Sequence, residues 1–420
     1  TTPLSGGIVL KDGQRLWGEG FGLNVAPFGA LVAAGTQPRI NAGGTDAVSV
    51  PATAGNRTGV EIRGLDLQGN NAVDVTATGA NNVGVTIAGN TVRGSTAEGF
   101  DVNFGSSGTQ QVAIQNNAIT AGGTGIDVTR TVGTATITAF DNNTIAGNTV
   151  GTGILVNGAT FDATPGNPIN QVNGGTTAVG ASGNGTGAGG VILSNVTGDL
   201  AFTDLDIFND GGTGLGASST GALNAAAGTG FRIAVGAGVG SISSSGGPAI
   251  DIGNASITLP FNNVQSVNST TTGISLVNAF GGAGSTAFSA TSGQIIDPAG
   301  ASGTAFRVDG GNGNVSFPGA INSTSGNAVN VANRSSDTVT LSGAIAETGS
   351  GILLTTNTGA TINFSGALTL STGANSAFSA TGGGTITATN TTSTATTTTA
   401  TAINVTGTTI GAGGLNFRSI

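Results

Sequence analysis

The chain has 420 residues, a formal net charge of −9, 77 glycines, and neither cysteine nor histidine. Those two absences exclude disulfides, thiolate catalysis, zinc–thiolate sites, serine–histidine triads and histidine-ligated metals. The eleven basic residues are scattered singly, so there is no basic surface for phosphates, and nucleic acid is not an expected partner.

Residues 1–45 hold the only Trp, Trp17, and lie off the register of the repeats downstream. They are expected to cap the N-terminal end of the fold. The chain opens at Thr1 without Met, so it is expected to be covalently part of a longer protein. No run of 18 apolar residues occurs, so no membrane insertion by this segment is expected.

From residue 46 a repeat sets in. The segment after each Gly-rich turn reads AVDV from Ala72, GFDV from Gly99, GIDV from Gly125 and GILV from Gly153, in steps of 27, 26 and 28. It returns as AFRV from Ala305, AVNV from Ala328, GILL from Gly351, AFSA from Ala377 and AINV from Ala402. A fixed period of this length marks a solenoid. Inside each repeat the apolar residues alternate with period two. Ile126 and Val128 flank Asp127, and Val112 and Ile114 flank Ala113. Such alternation predicts strands with one buried face, and the frequent glycines argue against helices. Ile126, Val128, Ile114, Ile119, Val102 and Val75 are therefore expected to point inward.

Between two strands of the repeat stand Asn90, Asn117 and Asn143, spaced 27 and 26. Asn tolerates a left-handed backbone and can bond turn backbone, so these predict a stacked Asn ladder. Asn262 has the same offset. From about residue 315 the turn is shorter by one and places Gly319, Gly343 and Gly366 there. The region of about 160–248 is less regular, and GGTTAVGASGNGTGAGG, residues 174–190, reads as a loop excursion.

This order of strand, Asn turn, strand, Gly turn, strand resembles the right-handed parallel β-helix of the pectin-lyase-like superfamily, which includes polysaccharide lyases and hydrolases, phage tailspikes and passenger regions of bacterial autotransporter adhesins. The opening GGIVLKDGQRLWGEG, residues 6–20, is similar to the start of bacterial surface β-helix proteins. The resemblance implies an all-β, right-handed parallel β-helix over residues 46–420. About fifteen coils at ~4.8 Å each would span roughly 70 Å.

Three acidic residues share one outward position on consecutive repeats: Asp74, Asp101 and Asp127. Unit charges about 4.8 Å apart repel by roughly 1 kcal/mol in water and about 3–4 kcal/mol at an effective dielectric of 20. The row is cheap if solvated, and a bound cation or a raised pKa would relieve it if shielded. The corresponding strand carries the active site in the β-helix polysaccharide enzymes, and Arg130 lies just beyond. The row with Arg130 is thus a candidate catalytic set, weighed against three solvated carboxylates that keep an apolar strand soluble. The resemblance stops short of the enzymes' motifs. There is no NTD…DD…GHG…RxK set and no WxDH signature.

Asp204, Asp206 and Asp210 in FTDLDIFNDGG are weak Ca²⁺ candidates, since clustered carboxylates suit a hard cation, but the EF-hand spacing is not met. The Thr-rich run 385–404 places Thr385, Thr387 and Thr389 in alternation, as on an ice-binding β-helix, yet the repeats upstream lack a three-Thr rank. The sequence reads as a secreted or cell-surface bacterial β-helix with a structural or adhesive role, no cofactor, and a surface glycan or protein as ligand. A polysaccharide lyase or hydrolase using the Asp row is the alternative, and ice binding a remote one. Aromatics are only 4% of the residues, which makes sugar-stacking platforms scarce and weighs against the enzyme.

Overall fold

The structure, a computed structural model, describes residues 3–25, 29–32, 34–147, 151–296 and 303–420. It is an all-β parallel solenoid of about 14 turns, close to the fifteen expected, with 59% of residues in strands and 1% in helix. The chain divides into two compact units, residues 1–209 with 223–231 and residues 210–222 with 232–420.

In the first unit the coils from Val48 to Val179 contribute three strands each, in parallel register with their counterparts one coil on, and in the coil from Gly189 one long strand, Thr197–Asn209, pairs with both Thr160–Phe161 and Val172–Val179. Strands Val48–Ala52, Val73–Gly79, Phe100–Ser106, Ile126–Arg130, Thr152–Asn157 and Gly189–Ser194 stack on one face. Strands Arg57–Arg63, Val83–Ala88, Thr109–Gln115 and Thr134–Ala139 stack on a second. Strands Asp66–Gln68, Thr91–Ser95, Ala118–Ala121 and Thr144–Ile145 form the third. The period-two phase holds: Val75, Val102, Ile114, Ile119, Ile126 and Val128 are all at most 2% exposed. The amides and carbonyls along such a strand bond to the coils on either side, so stacking satisfies the backbone while the interior stays apolar.

Part of the N-terminal segment belongs to the stack itself. Strands Leu4–Ser5, Ile8–Val9 and Arg15–Trp17 ladder in parallel onto the next coil. Leu23–Val25 and Gly29–Val32 form a separate antiparallel pair. Residues 1, 2, 26–28 and 33 of this segment lie outside the described residues.

The Asn ladder is present and buried. Asn90, Asn117 and Asn143 are at most 2% exposed. The side chain of Asn117 donates to Ile87 O at 3.0 Å and to Asn143 Oδ1 at 3.0 Å, and that of Asn90 donates to Ile62 O at 2.9 Å. The left-handed backbone sits one residue earlier than expected, at Gly89, Asn116 and Asn142, with φ of 65°, 56° and 57°. That turn aims the following Asn inward. The ladder does not reach Asn262, whose side chain is exposed in the middle of the long strand Ile250–Val267.

The glycine-rich stretch after residue 172 is also not a loop throughout, because Val172–Val179 is a strand paired with Thr197–Asn209. Gly174 is needed there for contact: a Cβ would fall 2.3 Å from the Phe202 ring. Composition marked flexibility where the glycine makes room for an aromatic core residue.

In the second unit the regular coils begin at Phe306–Asp309, Asn314–Phe317 and Ala320–Ser323 and continue through Gly351–Thr355, Thr361–Phe364 and Leu368–Gly373. Phe306, Val329, Ile352, Phe378 and Ile403 form one column, as the repeat alignment predicts. Gly343 stacks beneath Gly319 so closely that a Cβ would lie 1.9 Å from Gly319 O, and Gly366 bears the same relation to Gly343 O.

Candidate functional site

Asp74, Asp101 and Asp127 are register partners on three consecutive coils. Ser49 precedes them in the column and Leu155 follows, so the acidic run is three residues long. Each carboxylate is held by the residue two along its own strand. Thr76 Oγ1 donates to Asp74 at 3.2 Å, Asn103 Nδ2 to Asp101 at 2.7 Å, and Thr129 Oγ1 to Asp127 at 2.9 Å. All three are half-buried rather than fully solvated.

Burial pushes all three pKa values up. For Asp101 the rise reaches about 6, with burial first and then the charges of Asp74, Asp127, Glu98 and Asp46. Asp74 is raised by burial and Asp46 against the opposing Thr76 bond. Asp127 is raised by burial and Glu98 against the opposing Thr129 bond. The central carboxylate feels a like charge on both sides, which is why it moves furthest.

Glu98 and Asp46 escaped the sequence reading. They lie in the Gly turns before the acidic strands, where Asn71 N donates to Asp46 Oδ1 at 3.0 Å and Glu98 N to Asn71 Oδ1 at 3.1 Å. A signal exists: Asp46, Asn71, Glu98 and Thr124 each stand two residues before the inward residue of the repeat.

Arg130 does not join the row. Its Nε donates to Gly158 O and its Nη1 to Gly133 O at 2.9 Å, so the guanidinium ties two turns together. Asp204 and Asp206 lie half-buried on one strand opposite Thr176 and Ala178, while Asp210 belongs to the second unit. Among the described residues, no group of three or more Asp, Glu, His or Cys is placed to hold a metal ion. The Thr-rich face carries Thr338, Thr361, Thr385 and Thr409 in register beside Thr340, Asn363 and Thr387. Thr389 lies beyond the end of its strand, Thr385–Ala388, so the rank is two wide and Asn363 interrupts it.

The first unit holds a further feature with no counterpart in the sequence reading. Gly59, Gly84 and Ala113 leave a depression of about 190 Å³ on the outer face of their strands, edged by Glu61, Thr86 and Gln111. Glu61 is clamped by Arg15 at 3.4 Å, by Arg63 at 3.0 Å and by the Trp17 indole N–H at 3.1 Å. The Arg15 guanidinium lies 5.4 Å from the Trp17 ring centre.

No family model, curated protein or solved structure matches this chain. The residues alone therefore bear on function. The acidic row can take up a proton near neutral pH and repel anions. Its carboxylates run in a line along the stack, each bonded to a neutral neighbour.

Proposed function

We propose that this chain is a structural or adhesive β-solenoid of a bacterial cell surface or secreted protein, akin to the autotransporter-passenger β-helices it resembles, and that it presents its outer faces to a glycan or protein. The observation that carries this reading is the column organisation of those faces. Thr76, Asn103, Thr129 and Asn157 in the first unit and Thr338, Thr361, Thr385 and Thr409 in the second give in-register rows of short polar side chains. Such rows suit a repetitive ligand contacted weakly at many points, where avidity does the binding. The test is localisation of the protein by cell fractionation and surface labelling, with binding of the purified chain to arrays of surface glycans and matrix proteins. Surface exposure with array binding supports the reading; a protein found only in the cytosol overturns it.

A second reading, a polysaccharide lyase or hydrolase, is favoured by one observation: Asp101, raised to about 6, is poised as an acid or base near neutral pH. Release of reducing ends or unsaturated products from pectin, alginate or glucan, abolished in Asp101→Asn, would establish it. The structural reading expects no turnover in either protein.

A further inference from the structure

We infer that Glu347 is a proton-linked fastener of the second unit: its carboxyl is held neutral inside the coil, and ionising it loosens the turns stacked around it. The strand Ile345–Glu347 alternates buried, exposed, buried, so Glu347 points inward and is 1% exposed. Its register partners are Ser323 on one side and Leu370 on the other. A carboxyl thus occupies a column whose next member is leucine.

The surroundings supply hydrogen bonds but no counter-charge. Oε1 accepts the Gly349 amide, and the Ser323 hydroxyl and the Gly351 and Ala328 amides also act on the group in favour of charge. Oε2 has no hydrogen-bond partner. The strands packed against it, Ala320–Ser323, Asn327–Ala332 and Leu368–Gly373, contain no Lys, Arg, Asp or Glu. A buried charge with neither a partner ion nor full hydrogen bonding is far costlier than the neutral acid. Burial outweighs these favourable contacts and pushes the carboxyl up from 4.5 to about 7.

The linkage has one sign. Between those two values the folded chain keeps a proton that the unfolded chain has released, so stability falls as pH rises. The stabilisation is complete below about 4.5 and is lost as pH climbs through about 7. The coils around Glu347 are therefore tightest in mildly acidic surroundings.

Two measurements on the whole chain test this. The chain has four glutamates, so selective ¹³C labelling at Cδ gives four carboxyl signals, and Glu347→Gln identifies the one in question. That signal is expected to titrate near pH 7. Amide exchange of the segment 343–356, corrected for intrinsic rate, is expected to speed up at least about tenfold between pH 5 and pH 8 in wild type and to stay level in Glu347→Gln. The segment around Asp101 is followed in parallel, so that titration of the acidic row is read separately. If Glu347→Gln does not fold, the wild-type exchange and the one glutamate signal with a near-neutral midpoint decide alone. Exchange of 343–356 that is indifferent to pH, or four glutamate signals all titrating below pH 5, overturns the proposal.

Discussion

The side-chain amide of Asn117 donates to Asn143 Oδ1 at 3.0 Å, while the backbone amide of Asn117 donates to the same oxygen at 3.3 Å. One Asn side chain thus serves both the side chain and the backbone of the coil before it, and the pattern repeats from Asn90 to Asn117.

Replacing Asn117 by Ala removes the bonds that its side chain makes with Ile87 O and the Asn90 amide inside a buried turn. The expected loss is about 2–3 kcal/mol, the penalty for one or two unsatisfied buried groups. Chemical denaturation of wild type and Asn117→Ala measures it. Asn262→Ala, at an exposed position, is expected to change stability by less than about 0.5 kcal/mol.

Gly343 has no room for a side chain, since its Cβ would lie 1.9 Å from Gly319 O. Gly343→Ala is expected to cost about 3 kcal/mol or more, through separation of the two coils. Gly44 has nothing within 4 Å of its Cβ position. Gly44→Ala is expected to be neutral or slightly stabilising, through the unfolded chain. Soluble yield and melting temperature of the two variants give the contrast.

Asp101 carries the largest shift in the acidic row. Its pKa is raised by folding, so its protonated form favours the native state. The benefit is full below about pH 4 and disappears as pH rises through about 6. Asp101→Asn keeps a neutral group at every pH. It is expected to match wild type at pH 4 and to be more stable at pH 7.5 by about 1 kcal/mol, after discounting for partial exposure. Melts with EDTA and with millimolar Ca²⁺ are expected to show the same calcium shift in both proteins. A calcium-dependent rise in wild type that vanishes in Asp101→Asn would make the row a cation site.

Arg334 is 1% exposed and donates from Nη1 to Gly310 O at 3.2 Å and from Nη2 to Gly313 O at 2.5 Å. Its own burial lowers its pKa, with Asp337 acting in the opposite direction. Arg334→Met removes the buried charge but strands two carbonyls. It is expected to destabilise the second unit by about 2 kcal/mol, read by denaturation.

Which residues face inward, and where the coils repeat, is legible in the chain itself. Period-two alternation and a step of 23–28 residues are local properties, so the pattern alone places Ile126, Val128 and Ile114 in the core. The same phase, carried from Ile345, also puts Glu347 inside, although a charged side chain there runs against ordinary composition. The neighbours that meet across coils are another matter, settled by the folded arrangement. The approach of Asp46 to Asp101, the diversion of Arg130 to Gly158, and the contact of Gly174 with Phe202 join residues between 28 and 55 positions apart. These depend on the length and handedness of each turn, which sets how one coil lies over the next. A one-residue change in a turn leaves the alternation intact and moves every such neighbour. Facing is therefore written in the strands, and the chemistry of the outer surface is written in the stacking.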